Sequence, residues 1–263
     1  MSSMRLILWD QLSESISSLK GYNPNTDVIF MCEIDSEATY VKHHKKKIAF
    51  LLSAMRHFAK LLKQKCYKIE YTKLDNSSNT GSLQNEVKRI IHKYNLDRII
   101  VTHPGEYRVL EDIKSLENEL NIHIEIREDD RFLCATNEFA SWASSRKEIR
   151  MEYFYRKMRK KYKILMDGDN PIGGQWNFDA ENRKPPKKGL AIPDHYIAEI
   201  DDITQEVMSL VSNRFNNHFG DIEPFYFAVT RTHALKALNQ FIEQRLPNFG
   251  DYQDAMIQGE PWM

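Results

Sequence analysis

Cysteine is scarce in this chain: Cys32, Cys66 and Cys134 are the only three in 263 residues. Their wide separation forms no C-x-x-C pair, so neither a zinc site nor a disulfide framework is suggested, and a reduced compartment, the cytoplasm, is expected. Long apolar runs are missing as well. No stretch approaches the ~20 residues that a membrane-spanning helix needs, and the start, Met1-Ser2-Ser3-Met4-Arg5, leads straight into a strand-like run instead of a signal-peptide core. No membrane partner and no export are expected. Net charge is also absent, with 37 Lys and Arg against 37 Asp and Glu. Global attraction to nucleic acid is therefore excluded, and any such contact must come from a local patch. Residues 42–47 and 156–163 are the two candidates, and for each a solvated helix face is favoured over phosphate contact.

Several chemical signatures are lacking too. No G-x-G-x-x-G follows the first strand pattern and no G-x-x-x-x-G-K-[ST] occurs, so the usual cradles for dinucleotides and nucleotide phosphates are missing. No G-x-S-x-G elbow and no cysteine nucleophile paired with histidine can be assembled from spacing. A self-contained hydrolytic or transfer site is not there. Internal repeats and low-complexity tracts are absent.

What is present is an alternation of short apolar runs with longer helical patterns. Strand-like runs fall at 5–9, 27–34, 67–74, 98–103 and 122–127, and helical ones at 13–19, 44–64, 83–94 and 107–120. Such a series predicts an α/β fold, a Rossmann-like doubly wound parallel sheet of about five strands, because right-handed crossovers cover both faces. In the helix at 44–64, Ile48, Leu51, Leu52, Met55, Phe58, Ala59 and Leu62 form the apolar face, and Lys45, Lys46, Arg56, Lys60 and Lys63 the wet one. After Arg131 the strand signal ends. Helices are expected at 138–145, 151–162, 204–214 and 231–244, with a Gly- and Pro-rich loop at 167–193 that is too long for an ordinary connector. In the helix at 151–162, Met151, Phe154, Tyr155, Met158 and Tyr162 share one face, and Arg156, Lys157, Arg159, Lys160 and Lys161 the other. The division expected is residues 1–130 as the α/β domain, 131–200 as helical crossover and loop, and 201–263 as the start of an all-α domain. Incomplete helices there should leave an apolar patch exposed over 225–241.

Ligands of doubly wound sheets sit beyond the carboxyl ends of the strands, where the strand order reverses. The loops there carry Asp10 and Gln11, then Glu33 and Glu37, then Pro104-Gly105-Glu106. Asp10 and Glu37 can accept hydrogen bonds from the ring N–H and hydroxyl groups of a heterocycle, and Tyr40 offers a face for stacking. The competing reading for each carboxylate is a helix N-cap, and Asp10 can do both. His43 and His44 are adjacent and cannot converge on one metal, so a solvated or capping role is favoured and no metal is assigned. His57 reads as a packed or surface histidine in preference to a catalytic base.

Longer motifs of rare residues are more specific. The run Glu37-Ala38-Thr39-Tyr40-Val41-Lys42-His43-His44 is one. Others are Leu8-Trp9-Asp10-Gln11-Leu12, Pro104-Gly105-Glu106-Tyr107-Arg108-Val109, Arg131-Phe132-Leu133 and Met151-Glu152-Tyr153-Phe154-Tyr155-Arg156. Gly173-Gly174-Gln175-Trp176-Asn177-Phe178-Asp179 and Phe227-Ala228-Val229-Thr230-Arg231-Thr232 complete the set. In this order they resemble the iron-sulfur bacterial photolyase and cryptochrome family, the deoxyribodipyrimidine photolyase-related proteins, over nearly the whole chain. The resemblance implies a light-dependent flavoprotein whose N-terminal α/β domain holds an antenna chromophore, 6,7-dimethyl-8-ribityllumazine. In the family the antenna passes excitation to FAD in a helical domain that also carries a 4Fe-4S cluster, and the reduced flavin donates an electron to a (6-4) lesion in damaged DNA. By matching position, Asp10, Cys32, Glu37, Tyr40, Phe50 and Leu51 would line the antenna pocket.

Two departures qualify the match. The family commonly carries glycine where this chain has Trp9, whose indole would stack on the antenna or occupy part of its place. The sequence also stops at Met263, where the family continues into the flavin- and cluster-binding helices. The expectation is an antenna-bearing half, inactive alone, with Tyr252 a surface tyrosine in preference to an outlying flavin contact. The alternatives are a non-enzymatic module that binds a chromophore or a companion chain supplying the C-terminal half, and a nucleotide-binding enzyme of Rossmann-like fold. The last needs a Gly-rich loop that Trp9-Asp10-Gln11-Leu12 does not supply.

Overall fold

A computed structural model describes residues 2–182, 184–185, 191–255 and 258. Residues 183 and 186–190 of the loop expected at 167–193, and the chain end at 259–263, lie outside the described residues. The chain divides into two compact units, Met1–Arg131 with Ala198–Arg231, and Phe132–Ile197 with Thr232–Met263.

The first unit is built on five strands, β1 (Ser3–Leu6), β2 (Val28–Cys32), β3 (Ile69–Thr72), β4 (Arg98–Thr102) and β5 (His123–Arg127). They pair in parallel in the order β3-β2-β1-β4-β5, so the expected doubly wound sheet is present. Alternation along the strands decides which side chain meets which layer. Met4, Leu6, Val28 and Phe30 join α3 (Leu83–Tyr94) and α4 (Tyr107–Leu120) in one core, while Ile7, Ile29 and Met31 join α2 (Lys45–Gln64) and α7 (Asp202–Arg214) in the other. A five-residue helix that the sequence did not announce, α1 (Asp35–Thr39), follows β2.

Helix boundaries follow local chemistry. Ser82 caps α3 by accepting from the Asn85 N–H, and Asn95 and Asn121 end α3 and α4 in the left-handed region that asparagine tolerates. His44 caps α2 through Nδ1, which accepts from the Lys46 N–H at 3.0 Å, so the capping role expected of it is present. The fit behind that ring is tight: a Cβ on Gly220, whose φ is +80°, would lie 1.9 Å from His44 Nε2.

The structure corrects several expectations. The helix expected at 13–19 is a single 3-10 turn, Ser17–Leu19. The Ser17 hydroxyl and the Ser18 N–H both bond to Thr102 Oγ1, at 2.8 and 3.0 Å, and so draw this segment to the sheet instead of into a helix. Arg56, placed on the wet face of α2, is 5% exposed, because Glu33 and Glu206 converge on it. Residues 198–231 belong to the sheet unit, so the division at 200 does not match the compact units. The apolar patch expected over 225–241 is split: Phe225 and Val229 are buried in the first unit's core, whereas Leu235 and Leu238 are exposed. Tyr252, expected at the surface, is buried.

The second unit holds α5 (Thr136–Ser144), α6 (Met151–Tyr162), α9 (Leu246–Tyr252) and most of α8 (Arg231–Gln244). It also contains a two-stranded antiparallel pair, Met166–Asp167 with Asn170–Pro171, where no strand was expected. Two-residue strands carry no readable period. Phe139, Trp142 and Phe154 pack together at centroid separations of 5.1 to 5.8 Å. Arg159, assigned to the solvated face of α6, is buried and donates to the carbonyls of Ile164 and Leu165. No helix among the described residues is long and apolar enough to cross a membrane.

Candidate functional site

Parallel strands direct the chain out of the sheet at their carboxyl ends, and connections leaving β1 and β4 toward opposite faces open a crevice between them. In this chain the crevice is a cavity of about 360 Å³, within the ~300–1,000 Å³ of small-molecule sites. Its floor and walls are apolar, with Ile7, Leu8, Ile34, Leu51, Leu83 and Val109 from both layers, and its polar groups are few: Asp10, Glu37, Glu106 and Lys47.

Behind the crevice lies Gln11. This side chain is fully buried, and its Nε2 donates to the carbonyls of Thr102 and His103 at 3.1 and 3.3 Å. It thereby ties the turn after β1 to the end of β4 and fixes Trp9 and Asp10 at the rim. The sequence marked Gln11 only as a loop residue. Its partners lie 91 and 92 positions away, and no local signal announces them.

Asp10 stands at the mouth with its side chain 45% exposed, its Oδ2 3.7 Å from an Arg131 nitrogen. Arg131 also donates to the Asp10 carbonyl and is itself paired with Asp129 at 2.6 Å. The Asp129 carboxyl is held below the usual carboxylate range by the Arg131 hydrogen bond, against the opposing effect of burial.

Glu37 is 6% exposed. Short helix α1 presents it to the cavity, and both its oxygens accept from Arg108, at 2.7 and 2.6 Å. The hydrogen bond to Glu37 raises the Arg108 pKa despite partial burial. Arg108 also lies 3.2 Å from Glu106 and 3.9 Å from Asp112, and 4.5 Å over the ring of Tyr40.

Cys32 lines the cavity and is buried. Burial, with Glu86, Glu33 and Glu37 nearby, pushes its thiol pKa far up although Arg89 opposes this, so it is a neutral wall and not a nucleophile. Lys47 lines the cavity with its ammonium 3.2 Å from His43 Nδ1. Burial together with Lys47 and His218 lowers the His43 pKa, which favours the neutral ring. A chamber of about 30 Å³, room for one water, adjoins the same walls and adds His43, Met55 and Leu74.

Of the residues singled out by sequence, Asp10, Cys32, Glu37 and Leu51 come together around this cavity. Tyr40 and Phe50 are outside its lining. Tyr40 is 46% exposed and packs against Arg108 and His43, and Phe50 turns to Phe227, ring to ring at 5.8 Å. Phe50 lies one position from Leu51, a rotation of about 100° around the helix, which takes it off the cavity face. Trp9 forms part of the wall, and the volume given above remains with its indole in place. His57 is packed, its Nε2 3.1 Å from Asp201, the N-cap of α7. Lys47 and Arg108 were not selected as site residues by sequence, and Gln11 and Glu106 were named only as members of the loops at the strand ends. Among the described residues, no three His, Cys, Asp or Glu side chains gather as a metal site.

Comparison with known proteins adds the following. A family profile described as deoxyribodipyrimidine photo-lyase-related protein matches residues 5–227. A (6-4) photolyase of Agrobacterium fabrum is 50% identical over 261 residues, which is 99% of this chain and 52% of that protein. An uncharacterised protein of Acanthamoeba polyphaga mimivirus is 26% identical over 193 residues, 70% of this chain and 95% of that protein. The chain thus spans about half the length of the bacterial relative.

Proposed function

We infer that this chain serves light-driven DNA repair, because it belongs to the deoxyribodipyrimidine photo-lyase-related family. Within that role, its sheet unit is the light-collecting part, and the cavity at the carboxyl ends of β1, β2 and β4 holds a phosphate-free heterocyclic chromophore, 6,7-dimethyl-8-ribityllumazine. The observation that carries this reading is the composition of the cavity: mostly apolar walls with three carboxylates, of which Glu37 is buried and Asp10 stands half-exposed.

The donor set fits such a ring. Glu37, buried and fixed in orientation, accepts from the ring N–H, while Asp10, half-exposed at the mouth, accepts from the hydroxyls of the ribityl chain. Lys47 donates to a ring carbonyl, and Trp9 offers a stacking face at the rim. The aliphatic walls exclude water, which strengthens each of these hydrogen bonds. Bound there, the chromophore would absorb light and transfer its excitation to a flavin of the same photolyase. Repair of a (6-4) lesion is the activity in the name of the bacterial relative, and for this chain it is part of the proposal, with damaged DNA as the substrate and FAD as the electron donor of the full-length photolyase, whose flavin and 4Fe-4S sites are not assigned to this chain.

A second reading, a chromophore- or partner-binding module without repair activity of its own, draws on the mimivirus relative, 95% of which is matched by part of this chain. Titrating the 263-residue chain with 6,7-dimethyl-8-ribityllumazine, followed by ligand fluorescence, tests what both readings share. One ligand per chain with a micromolar or tighter Kd supports them, and unchanged fluorescence at saturating protein contradicts them. Lesion loss under blue light, measured with a flavin-bearing C-terminal half supplied alongside the chain, then separates repair from a binding module.

A further inference from the structure

We propose that Arg108 is the positioning residue of this cavity: it fixes Glu37 as an acceptor-only carboxylate, so that the site selects heterocycles presenting a ring N–H and rejects those that cannot donate there. The inference rests on the chromophore-site reading and deepens it. Arg108 belongs to the Pro104–Val109 motif, whose function that reading left unassigned.

The geometry runs outward from the cavity. Both Glu37 oxygens accept from the two terminal nitrogens of the guanidinium, at 2.7 and 2.6 Å. Each oxygen keeps a further lone pair, and the planar fork of arginine sets the plane in which those lone pairs lie. Glu37 is too deeply buried for water to compete by turning the carboxylate. The guanidinium is fixed in turn by the Tyr40 ring on its face, 4.5 Å from centroid to Cζ, and by Glu106 at 3.2 Å. Tyr40 therefore acts through Arg108, from outside the lining. A carboxylate so held can receive a hydrogen bond and cannot give one. A carbonyl facing it would set acceptor against anion, and a methylated nitrogen would leave the buried carboxylate unpaired.

The charge around the cavity narrows the ligand class further. Asp10, Glu37 and Glu106 line it against a single lining cation, Lys47. A phosphate at this mouth would meet Asp10. The ligand class is accordingly a phosphate-free heterocycle with a ring N–H.

The test measures selectivity, which a merely structural role would not move. The 263-residue chain, R108K and R108Q are each titrated with 6,7-dimethyl-8-ribityllumazine and with its N3-methyl analogue. The unaltered chain is expected to prefer the N–H form by about 10-fold or more. R108K keeps the charge without the fork, and R108Q keeps neither. Both are expected to lose most of that preference, with Arg108 exposed enough for the fold to persist. A loss of affinity that falls equally on both ligands, or a preference unchanged in the two variants, overturns the proposal while leaving the chromophore site standing. Equal affinity of the unaltered chain for both ligands overturns it as well. Failure of the unaltered chain to bind either ligand overturns the site reading and this inference together.

Discussion

Replacing Arg56 with alanine is expected to destabilise the sheet unit by about 3–5 kcal/mol, the usual cost of removing one partner from a buried ion pair. Arg56 projects from α2 with its side chain 4% exposed, and its Nε and Nη2 donate to the two oxygens of Glu33, at 2.6 and 2.9 Å. Its Nη1 donates to Glu206 on α7 at 2.9 Å. Glu33 also accepts from the Tyr71 hydroxyl and the Leu74 N–H. One arginine thus joins the end of β2, the strand β3, the helix α2 and the helix α7. Burial works against its charge, yet the Glu33 hydrogen bonds win and its pKa is raised. Alanine would leave a carboxylate that is 1% exposed without a counter-charge. Urea unfolding of the variant should show a markedly lower midpoint, and a change under about 1 kcal/mol would mean the network is not what joins these elements. Because Leu51 and Lys47 of the cavity ride on α2, the same variant should bind ligand less tightly.

Substituting Gly105 by leucine should do the opposite, leaving the fold intact and closing the site. Gly105 lines the cavity in the loop after β4, and its φ lies outside the left-handed region. A Cβ there would meet Asp10 Oδ2 at 3.7 Å, an ordinary contact, so a larger side chain is accepted by the backbone and takes up space at the mouth. Overfilling a formed site costs about 1–3 kcal/mol, or about 5- to 150-fold in affinity. Lumazine affinity is expected to fall by that factor while the unfolding free energy changes by no more than about 0.5 kcal/mol, as for other substitutions in the absence of buried partners. Undiminished binding to the leucine variant would place the ligand elsewhere.

These two residues show where sequence reading reaches and where it ends. The sheet was legible because short apolar runs such as β2 and the helical period of α2 are local signals; Asp10 and Glu37 were candidates because they stand in loops at strand ends, while Cys32 and Leu51 were named only through the family resemblance. Arg56 was not, since its helical position faces Glu33 and Glu206, the latter 150 positions away. Arg108 and Gln11 were missed for the same reason. Each takes its meaning from a partner on another strand or helix, Glu37 at a separation of 71 and Thr102 at 91. By sequence Tyr40 reads as a face for stacking on a ligand, whereas in the structure its ring lies against Arg108, outside the cavity lining. The segment 13–19 misled in the other direction. Its period suggested a helix, whereas its serines answer to Thr102 across the unit.

The claim on which the rest depends is that a heterocycle sits in the crevice between β1 and β4. Methyl NMR of the chain with labelled Ile, Leu and Val side chains, recorded during addition of 6,7-dimethyl-8-ribityllumazine, tests it most directly. The account predicts ring-current shifts and ligand cross-peaks at Ile7, Leu51, Leu83 and Val109, with Leu235 and Leu238 unmoved. Saturable binding that leaves those four methyl groups unchanged would contradict it.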